Sequence, residues 1–121
     1  KQRMIEKTEL LKSIIEGIQE KKGKNISAIQ LKGMSGAICD YFVICEGNTP
    51  TQVSALANSI EEVVKKNVKE NPIRVHGLQQ AEWVGMDYGN VIVHIFLPDL
   101  RRFYNIDTLW EDAKSEQIPS L

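Results

Sequence analysis

Two runs of alternating apolar residues, 82–88 and 91–97, are separated only by Gly89-Asn90. A Gly followed by Asn suits a type II′ turn, which matches the twist of two antiparallel strands, so a hairpin is expected here. This hairpin constrains the chain more than any other feature, because it decides which side chains share a face. Counting outward from the turn pairs Tyr88 with Val91, Asp87 with Ile92, Met86 with Val93, Gly85 with His94, Val84 with Ile95 and Trp83 with Phe96. Cross-strand partners share a face, and neighbours along a strand alternate. One face is then Val84, Met86, Tyr88, Val91, Val93 and Ile95, an apolar surface that must be buried. The other holds Trp83, Gly85, Asp87, Ile92, His94 and Phe96. Two aromatics beside a carboxylate, an imidazole and a glycine make a poor core but a suitable centre for a protein interface. The competing arrangement covers this face with a further helix and lets Asp87 and His94 satisfy each other.

The remaining segments supply partners for the hairpin. Leu10, Leu11, Ile14, Ile15 and Ile18 form the stripe of an amphipathic helix, which Gly23 is expected to end. Residues 26–31 alternate as a strand, and 41–45 are apolar on both faces, as in the middle of a sheet. Thr49-Pro50-Thr51-Gln52 combines a capping hydroxyl, a Pro at the first helical position and a Gln after the cap. Val53, Leu56, Ala57, Ile60, Val64 and Val68 then make a buried stripe that stops at Asn71-Pro72. Residues 73–75 read as a short strand. Pro98 closes the hairpin, Asp107 is placed to cap a last helix over 107–113, and the polar tail 114–121 is expected to be loose. The expected fold is mixed α/β: helices packed on a five-stranded mixed sheet in one domain over 1–121, with its core at about 8–113.

Composition narrows the partners. The charged fraction is 26%, with 15 Lys and Arg against 16 Asp and Glu and a net charge of −1. A protein that binds RNA mainly through phosphates carries a basic excess, so direct RNA contact is expected to be minor at most. No stretch is apolar enough to span a bilayer or to act as a signal peptide, and a cytoplasmic protein is expected. The chain opens at Lys1 rather than Met, as in a sequence whose natural N-terminus lies upstream. Cys39 and Cys45 flank residues 40–44, which read as a strand, and lie roughly 20 Å apart in extended chain, too far for a disulfide.

The sequence holds no recognisable catalytic constellation. His76 and His94 are single histidines on strands, and no Cys or His spacing suits zinc. Ser35 lacks the Gly-x-Ser-x-Gly setting of a nucleophile, and 45–48 lacks the Gly and Lys of a phosphate loop. A two-metal nucleotidyl-transfer site needs closely spaced Asp residues after a Gly-Ser pair. Asp40 and Asp87 are far apart in the chain. No catalytic residue, metal or cofactor is expected.

Several stretches resemble a known family in the right order: Cys39-Asp40-Tyr41-Phe42-Val43-Ile44-Cys45 with Gly47-Asn48 and Gln52-Val53; Arg74-Val75-His76-Gly77-Leu78; Trp83-Val84 with Asp87-Tyr88-Gly89-Asn90-Val91-Ile92-Val93-His94-Ile95-Phe96; and Arg101-Arg102-Phe103-Tyr104 with Leu109-Trp110. On these the chain resembles the ribosomal silencing factor (Iojap) family over about residues 8–113. It departs from the family pattern at Glu46, His76, Asn90, Arg102 and Asp107.

The resemblance implies a nucleotidyltransferase-like fold without the catalytic residues. It implies binding to the large ribosomal subunit through its protein uL-fourteen, steric blocking of small-subunit joining, and repression of translation under nutrient limitation. It also implies a ribosome-facing role for Trp83, Asp87, Tyr88 and Gly89. With the hairpin reading, the expected partner-binding residues are Trp83, Asp87 and Tyr88, then Gly85, His94 and Phe96. Tyr88 falls on the core face by strict alternation, and reaches the rim only if its ring escapes at the turn. The alternatives are a degenerate nucleotidyltransferase-like enzyme using Asp40 and Asp87, and a homodimer formed through the same sheet face.

Overall fold

A computed structural model describes residues 5–121. Its elements run α1 (Glu9–Glu20), β1 (Lys24–Gln30), β2 (Tyr41–Glu46), α2 (Pro50–Val68), β3 (Arg74–His76), β4 (Trp83–Asp87), β5 (Val91–Phe96), α3 (Pro98–Tyr104), a 3-10 helix (Ile106–Trp110) and β6 (Lys114–Ile118). The strands form one sheet in the order β3-β4-β5-β2-β1-β6. Only β2 and β5 run parallel; the other neighbours are antiparallel.

The helix signals act as their chemistry requires. Thr8 and Thr49 cap α1 and α2 by accepting hydrogen bonds from Leu11 N and Gln52 N. The Gln52 carboxamide oxygen reaches back to the Asn48 N–H at 2.7 Å. At the end of α1 the left-handed residue is Lys22 rather than Gly23. Leu11, Ile14 and Ile18 of α1 and Leu56, Ile60 and Val64 of α2 are fully buried against Val84, Met86, Val93 and Ile95 of the hairpin. Both long helices therefore cover one face of the sheet. Among the described residues no helix is long and apolar enough to cross a membrane.

The hairpin register matches the count from the turn, pair by pair from Trp83 with Phe96 to Asp87 with Ile92. Gly89 sits at φ 88°, as the first position of a type II′ turn demands, and the Tyr88 N–H donates to Val91 O at 2.9 Å.

Two expectations need correction at the C-terminus. The sheet has six strands, because the expected loose tail pairs with β1 as β6, from Ile26 beside Ile118 to Gln30 beside Lys114. An edge strand can be polar on its wet side, so β6 has almost no apolar alternation to announce it. Its side chains hold it instead: Glu116 accepts from Ile5 N and Lys7 Nζ, and the Gln117 amide donates to Ser27 Oγ. The expected helix over 107–113 is also displaced. Pro98 opens α3 at a position that suits proline, and Asp107 falls inside the following 3-10 turn, where it caps nothing.

Candidate docking face on β3, β4 and β5

The second face of the sheet is covered over part of its width. Leu100, Ile106 and Trp110, from α3 and the 3-10 helix, pack with Ile29, Leu31, Phe42, Ile44 and Phe96 into a second, smaller core. This layer lies over β1, β2 and the C-terminal end of β5. Trp83 of β4 and Ile92 of β5 pack against its edge, while β3 and the remainder of β4 and β5 stay uncovered, and there Arg74, His76, Trp83, Asp87, Ile92 and His94 line a groove of about 460 Å³.

The expected residues divide accordingly. Trp83, Gly85, Asp87, Ile92 and His94 are half-buried and share the open face. Phe96 belongs to the same face but is fully enclosed. It supports the site from below and presents nothing to a partner. Tyr88 points into the main core, 6% exposed, so alternation holds through to the turn and its ring does not reach the rim. Its buried hydroxyl has no hydrogen-bond partner, and burial raises the phenol well above its usual pKa.

Asp87 and His94 do not satisfy each other. The Asp87 carboxylate accepts the Gly89 N–H at 2.7 Å and so stiffens the turn. His94 Nδ1 accepts from the Trp83 indole N–H at 3.1 Å. Aromatic neighbours complete the setting. Phe96 stacks on Trp83 with ring centres 4.9 Å apart, Tyr104 of α3 lies 4.6 Å from it, and Phe42 meets His94 edge-on at 5.1 Å.

Burial lowers the His94 pKa from 6.5 to about 4, with the charge of Asp107 opposing the shift. Below its ordinary pKa the unfolded chain takes up the proton that the folded chain refuses. Stability from the neutral ring is thus complete above pH 6.5 and declines as pH falls toward 4. Urea unfolding at pH 7 and pH 5 should show the wild type losing more stability than His94→Asn over that interval. Equal losses would contradict the assignment.

Residues beyond the expected set also shape the groove. Arg74 and His76 stand opposite Asp87 and Gly85 in the β3–β4 pairing. Gly77, at φ 92°, makes the turn out of β3, and a Cβ there would lie 2.1 Å from the Trp83 carbonyl oxygen. Gly85 is the reverse case: a Cβ added to it meets nothing within 4 Å.

α3 is anchored by Arg101. Its guanidinium grips Asp107 through Nε and Nη2, meets Glu46 at 3.2 Å, and donates to Ser27 Oγ and the Asn25 carbonyl. Burial acts to lower the Arg101 pKa, but bonding to Asp107 and the charges of Asp107 and Glu46 outweigh it, and the net shift is upward. This clamp holds the segment that places Tyr104 over Trp83.

Burial pushes the Cys45 thiol up to about 12 and raises Cys39 as well, so neither is a nucleophile near neutral pH. The Asp40 N–H donates to Asn90 O at 2.9 Å, so Asp40 lies at the β4–β5 turn end of the sheet, where Asp87 also sits. Among the described residues no three His, Cys, Asp or Glu side chains are grouped to hold a metal.

The sequence model of the family described as "Ribosomal silencing factor during starvation" matches residues 4–121. The chain is 38% identical over 110 residues to the ribosomal silencing factor RsfS of Halalkalibacterium halodurans, covering 91% of this chain and 92% of that protein. To RsfS of Bacillus subtilis it is 39% identical over 107 residues, covering 86% of each. A crystal structure of a Chromobacterium violaceum protein superposes with a TM-score of 0.80 at 32% identity, covering 97% of this chain and 92% of that one. The chain belongs to the ribosomal silencing factor family.

Proposed function

We propose that the open β3–β4–β5 face docks on a protein of the large ribosomal subunit, the uL-fourteen protein that the family resemblance implies. By covering that surface in the cytoplasm, the chain keeps the small subunit from joining and so represses translation. Such a blocker needs no catalytic residue, only an interface with a few well-held anchors. The observation that carries this reading is the uncovered part of the sheet: α3 and the 3-10 helix bury Phe96 but leave Trp83, Asp87, Ile92 and His94 around an open groove. Trp83 is the anchor, held by His94 and Phe96. Asp87 and the two basic-capable groups of β3, Arg74 and His76, supply polar contacts around it.

Gly85 tests the reading cleanly. A glycine inside a strand weakens the strand, and one whose missing side chain faces empty space has no packing reason to be there. Close approach by a partner is such a reason. Gly85→Val should therefore fold at least as stably as the wild type, yet co-sediment with isolated large subunits about tenfold more weakly. Undiminished co-sedimentation of the folded variant would remove the groove from the contact.

A further inference from the structure

We propose that His94 is a positioning residue that locks Trp83 for docking: its Nδ1 holds the indole N–H, so its part in binding is to fix the anchor rather than to touch the partner. This rests on the docking reading above and adds to it which group makes Trp83 a rigid anchor. The geometry is specific. Trp83 and His94 come from adjacent strands, with His94 directly opposite Gly85, two residues along β4 from Trp83. The missing side chain at Gly85 leaves the space beside His94 open. The indole N–H meets His94 Nδ1 at 3.1 Å, with the ring centres 5.9 Å apart.

The bond requires the neutral imidazole with its proton on Nε2, since Nδ1 must accept. Phe42 packs edge-on against the imidazole from β2, and Phe96 and Tyr104 contact the indole. Packing thus limits where the rings can sit, and the hydrogen bond selects one orientation of the indole. The charged and titratable groups around His94 are Arg74, His76 and Asp87 at the groove and Asp107 from the 3-10 helix. None of these four hydrogen-bonds to His94, whereas the Trp83 indole does. An anchor already held in its bound orientation loses less freedom on association, which raises affinity without any added contact.

The test compares His94→Asn, whose side-chain oxygen can stand near the position of Nδ1, with His94→Leu, which has no acceptor. Binding to isolated large subunits is measured at pH 7.5 beside the Trp83→Ala variant. The Trp83 indole N–H signal is followed by NMR in the free protein, with Trp110→Phe used to assign it. His94→Leu should bind about tenfold more weakly than wild type and lose exchange protection of the indole N–H, whereas His94→Asn should restore most of both. A His94→Leu protein that keeps the protected signal, or that binds like wild type while Trp83→Ala does not, would overturn the lock. So would an Asn variant as weak as the Leu variant, because an acceptor alone would then be insufficient. If Trp83→Ala binds normally, the docking reading itself fails, and the indole signal still decides whether His94 holds the ring.

Discussion

Arg101→Ala is expected to lower the free energy of unfolding by about 3 kcal/mol, the largest stability effect of any single change considered. The guanidinium is 11% exposed and faces two carboxylates, Glu46 at 13% and Asp107 at 33%. Removing it leaves both acids without their counter-charge and frees the oxygens of Ser27 and Asn25 that it bonded. The lower part of the range for broken buried pairs applies, because Asp107 is partly wet. Arg101→Lys keeps the charge but not the paired N–H groups on Asp107, and should fall between. Urea unfolding checks both. A loss below about 1 kcal/mol for the alanine variant would mean that solvent screens the cluster as it does an ordinary surface pair.

Trp83→Ala should weaken binding to the large subunit by about 2 kcal/mol or more, roughly thirtyfold. Trp83 is a large side chain of the open face, held by a hydrogen bond and ring contacts yet only partly buried. Interface anchors have that combination, since their freedom is already restricted before the partner arrives. Truncation also removes packing on Phe96 and Tyr104, so stability must be measured beside affinity. A folded Trp83→Ala protein that still co-sediments fully would exclude the residue from the contact.

The hairpin was legible because its turn has two residues and each strand alternates cleanly, so one assumption about Gly89-Asn90 gives every cross-strand pair. The same count placed Trp83, Gly85, Asp87 and His94 on one face and correctly put Tyr88 with the core. It could not separate Phe96 from Trp83, because burial of Phe96 depends on α3 and the 3-10 helix crossing back over β5. Leu100, Phe103 and Tyr104, then Ile106, Leu109 and Trp110, do recur at helical spacing, but Phe103, Tyr104 and Leu109 are exposed, and the segment is tied down by Arg101 reaching β1 and β2, a contact without local signature. β6 was missed for a related reason: its backbone pairing with β1 and its polar side chains stabilise it, and neither leaves a hydrophobic period. Arg74 and His76 joined the groove through the β3–β4 register, which a longer connection around Gly77 conceals.

In the proposed function the chain acts by steric exclusion at the joining surface of the large subunit. Binding of this chain and joining of the small subunit then exclude one another, and each must weaken the other by the same coupling free energy. Purified subunits mixed with increasing amounts of the protein, and resolved by sedimentation, measure this directly. Joined ribosomes should decline in proportion to occupancy of the large subunit and return when small subunits are added in excess. Inhibition that persists unchanged at saturating small subunit would contradict the account.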